Sequence, residues 1–403
     1  MWGANRRIES AERPVDSPSK QIPVIVLAGF LGSGKTTLLN HLLRACRGTR
    51  IGAIVNDFGS IEIDAMTVAG QLGDSTVSLG NGCLCCAVDA SELDVYLDRL
   101  TRPAARIDVV VIEASGLAEP QELVKMVLAS ENRRIVYGGL VEVVDAAEYD
   151  ATRERHPEID RHLAVADLVV LNKTDRVDAA DLARLRTRLA GTAAVVESSY
   201  GQVDPELFFD ARPLAERVGQ LAFDDLLDDE APGGCTDDHE HHAGCHGHGT
   251  HLHTGYASVA FTSDAPLDPR RLMDFLDTRP DGLYRIKGFV DFGAADPRNR
   301  YSLHAVGRFL RFYPEAWSPG QERRTELVLI GAGIDAPALD KQLAGCVAAA
   351  TDGPPAEHAM WGVLRYVPEP EPEPEDGEVG EDGEAPRETR GAGEFDELPG
   401  AVG

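Results

Sequence analysis

The chain of 403 residues is 43% hydrophobic and 26% charged, and its formal net charge is −28 at pH 7. This composition is typical of a soluble globular protein, and the length predicts two domains. The negative charge argues against a nucleic-acid partner, because −17 remains after the 13 acidic and 2 basic residues from Pro368 onward are set aside. Apolar runs fall far short of the roughly 18 residues that span a bilayer, and no apolar signal region opens the chain. We therefore expect a cytoplasmic protein without a membrane partner.

Short apolar runs alternate with helical patterns in the first half of the chain. Strands are predicted at 22–28, 51–55, 107–112, 136–144, 168–171 and 193–196, and helices at 35–46, 90–101, 119–129 and 178–190. This α/β alternation predicts a mostly parallel sheet flanked by helices, with the ligand at the carboxyl ends of the strands.

An α+β pattern follows in the second half. Strands are predicted at 256–262, 283–292, 301–309 and 325–330, and helices at 268–277 and 335–347. The predicted organisation is a flexible leader at 1–20, an α/β domain at 21–225, a mobile linker at 226–254, a smaller α+β domain at 255–366 and an acidic disordered tail at 367–403.

The first predicted strand runs into a phosphate-binding pattern, G-x-x-x-x-G-K-[ST], at residues 29–36. Its glycines let backbone N–H groups turn toward a polyphosphate, Lys35 adds a positive charge, and Thr36 can place its hydroxyl on Mg²⁺. An amphipathic helix follows the motif, which a chance glycine-rich turn would not require. The predicted nucleotide-binding residues are Gly29, Gly32, Ser33, Gly34, Lys35, Thr36 and Thr37.

A second motif, Asn172-Lys173-Thr174-Asp175, follows the predicted strand at 168–171 and matches the N-K-x-D signature of GTPases. Guanine presents two adjacent N–H donors that the carboxylate of Asp175 can accept, whereas adenine would leave a buried carboxylate unpaired. GTP is therefore favoured over ATP. Ser198 and Ser199 follow the next strand, at the position where GTPases complete the guanine pocket.

Several acidic residues are candidates for the magnesium shell and for catalysis. Glu113 ends the predicted strand at 107–112, where P-loop proteins hold Mg²⁺ directly or through a water. Gly116 gives the next loop freedom to sense the γ-phosphate. Asp57 and Asp64 are candidates for orienting the attacking water or the magnesium, with solvated loop acids as the alternative. Lys35 completes the predicted catalytic set.

A cluster of cysteines, Cys83, Cys85 and Cys86, follows a Gly-Asn-Gly turn. Their thiolates suit Zn²⁺ or Co²⁺, and three protein ligands leave an open coordination position, which favours transfer over permanent binding. Buried structural cysteines or a redox pair are the alternatives.

Residues 235–253 hold seven of the twelve histidines. Imidazoles on a mobile chain capture transition metals without strict geometry, and a polar linker is the alternative reading. The histidines predicted as metal ligands are His239, His241, His242, His246, His248, His251 and His253.

Taken together, these motifs resemble the CobW-type metallochaperone GTPases, relatives of the nickel-insertion GTPases. The matching residues are 29–36, Asn56 to Gly59 with Ile63 and Asp64, 83–86, 113–120 and 172–175, and the resemblance covers roughly residues 20–366. It implies a parallel-sheet GTP domain, a smaller C-terminal domain, and GTP-dependent handling of Zn²⁺ or Co²⁺ at the cysteines. Asp57 and Ser60 depart from the family pattern Asn-Glu-Phe-Gly-Glu, and Ser60 offers no carboxylate for a metal contact.

The resulting prediction is a GTP-hydrolysing metallochaperone that uses GTP, Mg²⁺ and Zn²⁺ or Co²⁺. Its expected partner is a client metalloprotein or metal-dependent enzyme, with a homodimer as a possible assembly. One alternative is a histidine-rich metal buffer regulated by GTP, which would bind several ions independently of the nucleotide. Another is a GTPase with an inert structural zinc that survives hydrolysis.

Overall fold

The structure, a computed structural model, describes residues 21–46, 49–55, 76–78, 90–116, 118–191, 193–209, 256–349, 353 and 355–369. Two sheets dominate this part of the chain, and both lie in one compact unit that ends at Pro368. The predicted leader, linker and tail fall outside the described residues, apart from residues 367–369 at the start of the tail.

The first sheet is parallel throughout. Its strands are β1 (Ile22–Ala28), β2 (Ile51–Val55), β3 (Thr76–Ser78), β4 (Val109–Glu113), β5 (Ile135–Asp145), β6 (Leu168–Asn172) and β7 (Ala194–Glu197). They are arranged in the order β3-β2-β4-β1-β5-β6-β7. Strands such as β4, with the sequence Val-Val-Val-Ile-Glu, are nearly continuous apolar runs, because helices cover both faces of a parallel sheet.

Six helices accompany this sheet in the described residues: α1 (Lys35–Ala45), α2 (Ala90–Leu100), α3 (Pro120–Ala129), α4 (Tyr149–Arg155), α5 (Ile159–Val165) and α6 (Ala179–Leu189). Helix α1 buries Leu38, Leu39 and Leu42 against one face of the sheet. Helices α2 and α3 bury Leu93, Leu97 and Leu123 against the other face. None of the helices in the described ranges is long and apolar enough to cross a membrane.

The second sheet is antiparallel. It comprises β8 (Ala257–Ser263), β9 (Leu283–Val290), β10 (Asn299–Val306), β11 (Phe309–Ala316) and β12 (Thr325–Gly331), in the order β11-β10-β9-β12-β8. Helices α7 (Pro269–Asp277), α8 (Ala336–Gly345) and α9 (Trp361–Leu364) contribute buried side chains to the core of this sheet. The predicted order of a parallel α/β sheet followed by a smaller α+β sheet is therefore confirmed.

One predicted strand proved to be two. Residues 301–309 were expected to form a single strand, but β10 and β11 form a hairpin around Gly307, which has a φ of 51°. A glycine adopts this left-handed conformation without steric cost, so the chain reverses there. The short helices α4 and α5, strand β3 and helix α9 were not predicted, because segments this short show little periodicity.

A bulge in β5 brings the two sheets together. Between Tyr137 and Gly139 the register against β1 shifts, and Gly139 adopts a φ of 114°. A Cβ on Gly139 would lie 2.7 Å from Val306 Cγ1 and 2.9 Å from Tyr284 Oη, so a side chain would push the second sheet away. His304 Nε2 also donates to the Tyr137 carbonyl at 2.9 Å.

The hydroxyl of Tyr137 donates to Asp167 Oδ2 at 2.6 Å, and the same oxygen accepts the Leu140 N–H at 2.9 Å. Burial raises the pKa of Asp167, and these two hydrogen bonds act in the opposite direction. We expect Tyr137→Phe to lower the free energy of unfolding by about 1–3 kcal/mol, because a buried carboxylate loses a donor. Urea denaturation measures this loss.

Tyr96→Phe is the matched control, because the Tyr96 hydroxyl on α2 has no hydrogen-bond partner among the described residues. An equal effect of the two substitutions would contradict a role for the Tyr137–Asp167 bond.

Candidate nucleotide-binding site

The loop between β1 and α1 requires glycine at two positions. Gly29 has a φ of 141°, and a Cβ there would lie 2.3 Å from the Val143 carbonyl oxygen. Gly34 has a φ of 106°, and its Cβ would lie 2.3 Å from Asn172 Nδ2. The loop therefore packs against β5 and β6 more closely than any side chain would allow.

The remaining groups of this loop suit a phosphate. Lys35 Nζ donates to the carbonyl oxygens of Gly29 at 2.8 Å and Phe30 at 3.3 Å, so its charge is held over the loop. Ser33 Oγ is buried and has no hydrogen-bond partner among the described residues. A Cβ on Gly32 would meet nothing within 4 Å, which leaves room beside the loop. Thr37, in the first turn of α1, is exposed.

Thr36 and Glu113 meet at the same sheet edge. Thr36 Oγ1 donates to Glu113 Oε1 at 2.7 Å, across 77 residues of chain. Glu113 ends β4 and is buried, with 3% of its surface exposed. A hydroxyl and a carboxylate are ligand types that Mg²⁺ prefers, so these residues fit a magnesium–nucleotide complex. Magnesium, when bound, would neutralise charge on the outer phosphates.

The predicted guanine motif forms the turn after β6. Asn172 is 1% exposed, its Nδ2 donates to the Ser33 carbonyl at 2.9 Å, and its Oδ1 accepts the Gly201 N–H at 3.0 Å. Lys173 Nζ donates to the Gly32 carbonyl and to Asp145 Oδ2, both at 2.7 Å. Asp175 is exposed in the 3₁₀ turn Thr174–Arg176, where its carboxylate is accessible to a base.

The two predicted serines hold the next loop in place. Ser198 Oγ donates to the Gln202 carbonyl at 3.1 Å. Ser199 Oγ lies 3.0 Å from Thr174 Oγ1, which also donates to the Ser198 carbonyl at 3.0 Å. These hydroxyls join the loop after β7 to the guanine motif.

Gly116 contributes by its lack of a side chain. A Cβ at this position would lie 2.7 Å from the Leu31 N and 2.9 Å from the Leu31 Cα, so the loop after β4 packs directly on the phosphate loop. The remaining predicted site residues lie outside the described residues: Asp57, Asp64, Cys83, Cys85, Cys86, His239, His241, His242, His246, His248, His251 and His253. In the described part of the chain, no group of three or more His, Cys, Asp and Glu side chains is arranged to hold a metal ion.

Two site residues escaped the sequence-based prediction. Asp145 ends β5 and holds Lys173, and its position at the end of a predicted strand was the available signal. His156, which follows α4, packs its ring against Phe30 of the phosphate loop, with ring centroids 4.4 Å apart and ring planes tilted by 39°. Its sequence context is that of an ordinary surface histidine. Phe30 and Asp145 also line a cleft of about 380 Å³ beside the phosphate loop, together with Leu31, Tyr149, Lys173 and Arg176.

A phosphate loop, a Thr–Glu pair and a guanine-type turn thus converge at the carboxyl edge of one parallel sheet. This is the arrangement of a P-loop GTPase.

Comparison with known proteins shows which family of P-loop GTPases this chain resembles. Residues 23–197 match the nucleotide-binding domain of CobW, HypB and UreG, and residues 256–347 match the CobW C-terminal domain. The zinc chaperone CobW of a Sinorhizobium species is 31% identical over 346 residues, covering 77% of this chain and 93% of the relative. The zinc chaperone CobW of Pseudomonas aeruginosa is 33% identical over 361 residues, which cover 80% of this chain and 91% of the relative.

Among solved structures, the Zn(II)-bound YjiA GTPase of Escherichia coli is 22% identical and covers 81% of this chain and 99% of its own, at a TM-score of 0.37. A score this low supports no conclusion. The sequence matches are sufficient: the chain belongs to the CobW family and is a GTPase.

Beneath the phosphate loop lies an unexpected acid, Glu142 of β5. Its side chain is fully buried, and neither carboxyl oxygen has a hydrogen-bond partner among the described residues. Burial raises the pKa of Glu142 to about 8, although the nearby charge of Lys35 opposes the shift. The carboxyl group is therefore mostly protonated at neutral pH.

This raised pKa makes stability depend on pH. Between its ordinary pKa of 4.5 and about 8, Glu142 ionises in the unfolded chain but keeps its proton in the folded one, so stability falls as pH rises. We expect Glu142→Gln to remove this loss and to gain stability relative to the parent with rising pH, on the order of 3 kcal/mol between pH 4.5 and 7. Urea denaturation of nucleotide-free protein across this range measures the gain.

Glu122→Gln provides the control, because Glu122 is a half-exposed acid on α3 that pairs with Lys125. A stability difference between Glu142→Gln and the parent that stays constant with pH would show that Glu142 is ionised in the folded chain.

Proposed function

We propose that this GTPase is a metallochaperone that binds a transition metal, zinc by preference, and delivers it to a client metalloprotein in a GTP-dependent manner. Two relatives that share most of their length with this chain are zinc chaperones by name. The transition metal is the cargo that the protein transfers. GTP is the nucleotide that it hydrolyses, and Mg²⁺ is the cofactor of that hydrolysis.

The observation that carries the proposal is where the cysteine segment leaves the sheet. Strand β3 is parallel to β1, so Ser78 lies at the same carboxyl edge as the phosphate loop, five residues before Cys83 in the sequence. Three strand spacings separate β3 from β1, about 14 Å. The chain thus leaves β3 at the edge of the sheet that carries the phosphate loop, and the C-x-C-C motif follows within five residues of sequence.

The chain also leaves β2 at this edge. Val55, the last residue of β2, is paired with Glu113 in the sheet register, and the segment with Asp57 and Asp64 begins directly after it. Ser78, the last residue of β3, pairs with Val55 in turn, so the segments after β2 and β3 both begin at this edge, one and two strands from the proposed magnesium ligand. A change in the γ-phosphate can shift such segments between two arrangements.

In the proposed cycle, Mg²⁺GTP favours the arrangement in which Cys83, Cys85 and Cys86 converge on one ion. The thiolates bind Zn²⁺ strongly, and three of them leave a position open for a ligand of the client. Hydrolysis removes the γ-phosphate, weakens the metal site and allows transfer. Reciprocity requires that the metal strengthen GTP binding by the same factor.

Measuring zinc affinity with a non-hydrolysable GTP analogue, with GDP and without nucleotide tests the proposal. We expect one tight site whose affinity falls roughly 5- to 150-fold when GDP replaces the analogue, the usual range of such coupling. Cys83→Ser with Cys85→Ser should abolish the coupled site and leave GTP binding intact. Cys245→Ser is the matched control, because it removes a thiol from the histidine-rich segment instead.

Other outcomes identify the alternatives. Several zinc ions bound with the same affinity in all nucleotide states would indicate a metal buffer. A single ion that stays bound through GTP hydrolysis would indicate a structural zinc, and either result would overturn the chaperone cycle.

A further inference from the structure

Tyr200 is an exposed aromatic residue in an unfavourable backbone conformation, in the loop after β7. Its φ is 57° and 70% of its surface is exposed. No other described residue makes an aromatic or cation–π contact with its ring. Core packing therefore does not explain why a bulky side chain occupies this position.

The loop is a tight turn of a type that selects against tyrosine. The Gln202 N–H donates to the Ser199 carbonyl at 3.1 Å, and the two central residues, Tyr200 and Gly201, have φ values of 57° and 68°. Positive φ at both positions is the type I′ pattern, whose first position favours Asn, Asp or Gly. A tyrosine here is held against the preference of the backbone.

Three contacts fix the turn beside the guanine motif. The Gly201 N–H donates to Asn172 Oδ1 at 3.0 Å, and Ser199 Oγ lies 3.0 Å from Thr174 Oγ1. A Cβ on Gly201 would lie 2.8 Å from the Leu38 N of α1, so the turn packs on that helix too. Tyr200 thus projects from the rim where the N-K-x-D turn and α1 meet.

A guanine base bound at this rim needs its faces covered as well as its edge. Asp175 supplies the acceptor for the edge, and the ammonium group of Lys173 is held by the Gly32 carbonyl and Asp145. Among the described residues 198–202 of this loop, Tyr200 alone has an aromatic ring that could cover a face of the base. We propose that the Tyr200 ring stacks on the guanine base of the bound nucleotide.

This role makes Tyr200 a binding residue for the base and not for the phosphates. Stacking on an aromatic ring tolerates any base, so Asp175 would still select guanine while Tyr200 adds affinity. The inference concerns nucleotide binding and is independent of the metal. Its failure would leave the proposed chaperone function intact, and the reverse also holds.

The test compares Tyr200→Asn with Tyr200→Phe. Asparagine suits the turn but removes the ring, so we expect the Kd for GDP to rise roughly 5- to 150-fold. The nucleotide-free variant should melt at the parent temperature or above. Phenylalanine keeps the ring and should keep an affinity close to that of the parent. Isothermal calorimetry and thermal unfolding supply the two measurements.

Inorganic triphosphate with Mg²⁺ serves as the ligand without a base, and its affinity should be the same for Tyr200→Asn and the parent. Unchanged GDP affinity in Tyr200→Asn, an equal loss for inorganic triphosphate, or a lower melting temperature would each overturn the proposal. Tyr200→Trp adds a direct readout, because stacking should change indole emission on GDP addition beyond the response of the parent, which contains Trp2, Trp317 and Trp361. Emission that matches the parent response would count against stacking.

Discussion

The side-chain amide of Asn172 is the interaction on which the nucleotide edge depends. Its nitrogen is bound to the phosphate loop through the Ser33 carbonyl, and its oxygen is bound to the loop after β7 through the Gly201 N–H. Leaving either partner unsatisfied in this buried position would cost about 1–3 kcal/mol. One side chain thereby fixes the relative positions of the phosphate, guanine and Tyr200 loops. Gly34 has no Cβ because that atom would occupy the place of the amide.

Strand β5 links this edge to the second sheet. Near its amino end, the bulge at Gly139 receives Tyr284, and His304 binds the Tyr137 carbonyl. Burial lowers the pKa of His304 to about 4, so the ring is neutral and its Nε2–H is a stable donor at physiological pH. Four residues further, about 13 Å along the strand, the Val143 carbonyl faces Gly29 of the phosphate loop. A single stiff element therefore contacts both the nucleotide loop and the C-terminal domain.

The sequence predicted the parts of this arrangement that local chemistry encodes. The phosphate loop and the N-K-x-D turn are short motifs whose glycines, lysines and carboxylate have fixed roles, and parallel strands appear as apolar runs. Contacts between distant segments have no such signature. The ring contact between His156 and Phe30 joins residues 126 positions apart, and Glu142 interrupts an apolar strand without any local cause. The hairpin at Gly307 was read as one strand because the alternating pattern continues through the turn.

The charges of the site and of the whole chain act at different distances. A net charge of −28 repels a nucleotide at long range, but screening limits that repulsion to about 8 Å at physiological ionic strength. Within that distance Lys35 and the backbone N–H groups of the phosphate loop determine the potential. An ionised Glu142 would cancel much of the Lys35 charge, so the proton that burial holds on this carboxyl keeps the loop positive. The negative charge that repels GTP at a distance also attracts divalent cations, which suits the proposed metal cargo and the proposed magnesium–nucleotide complex.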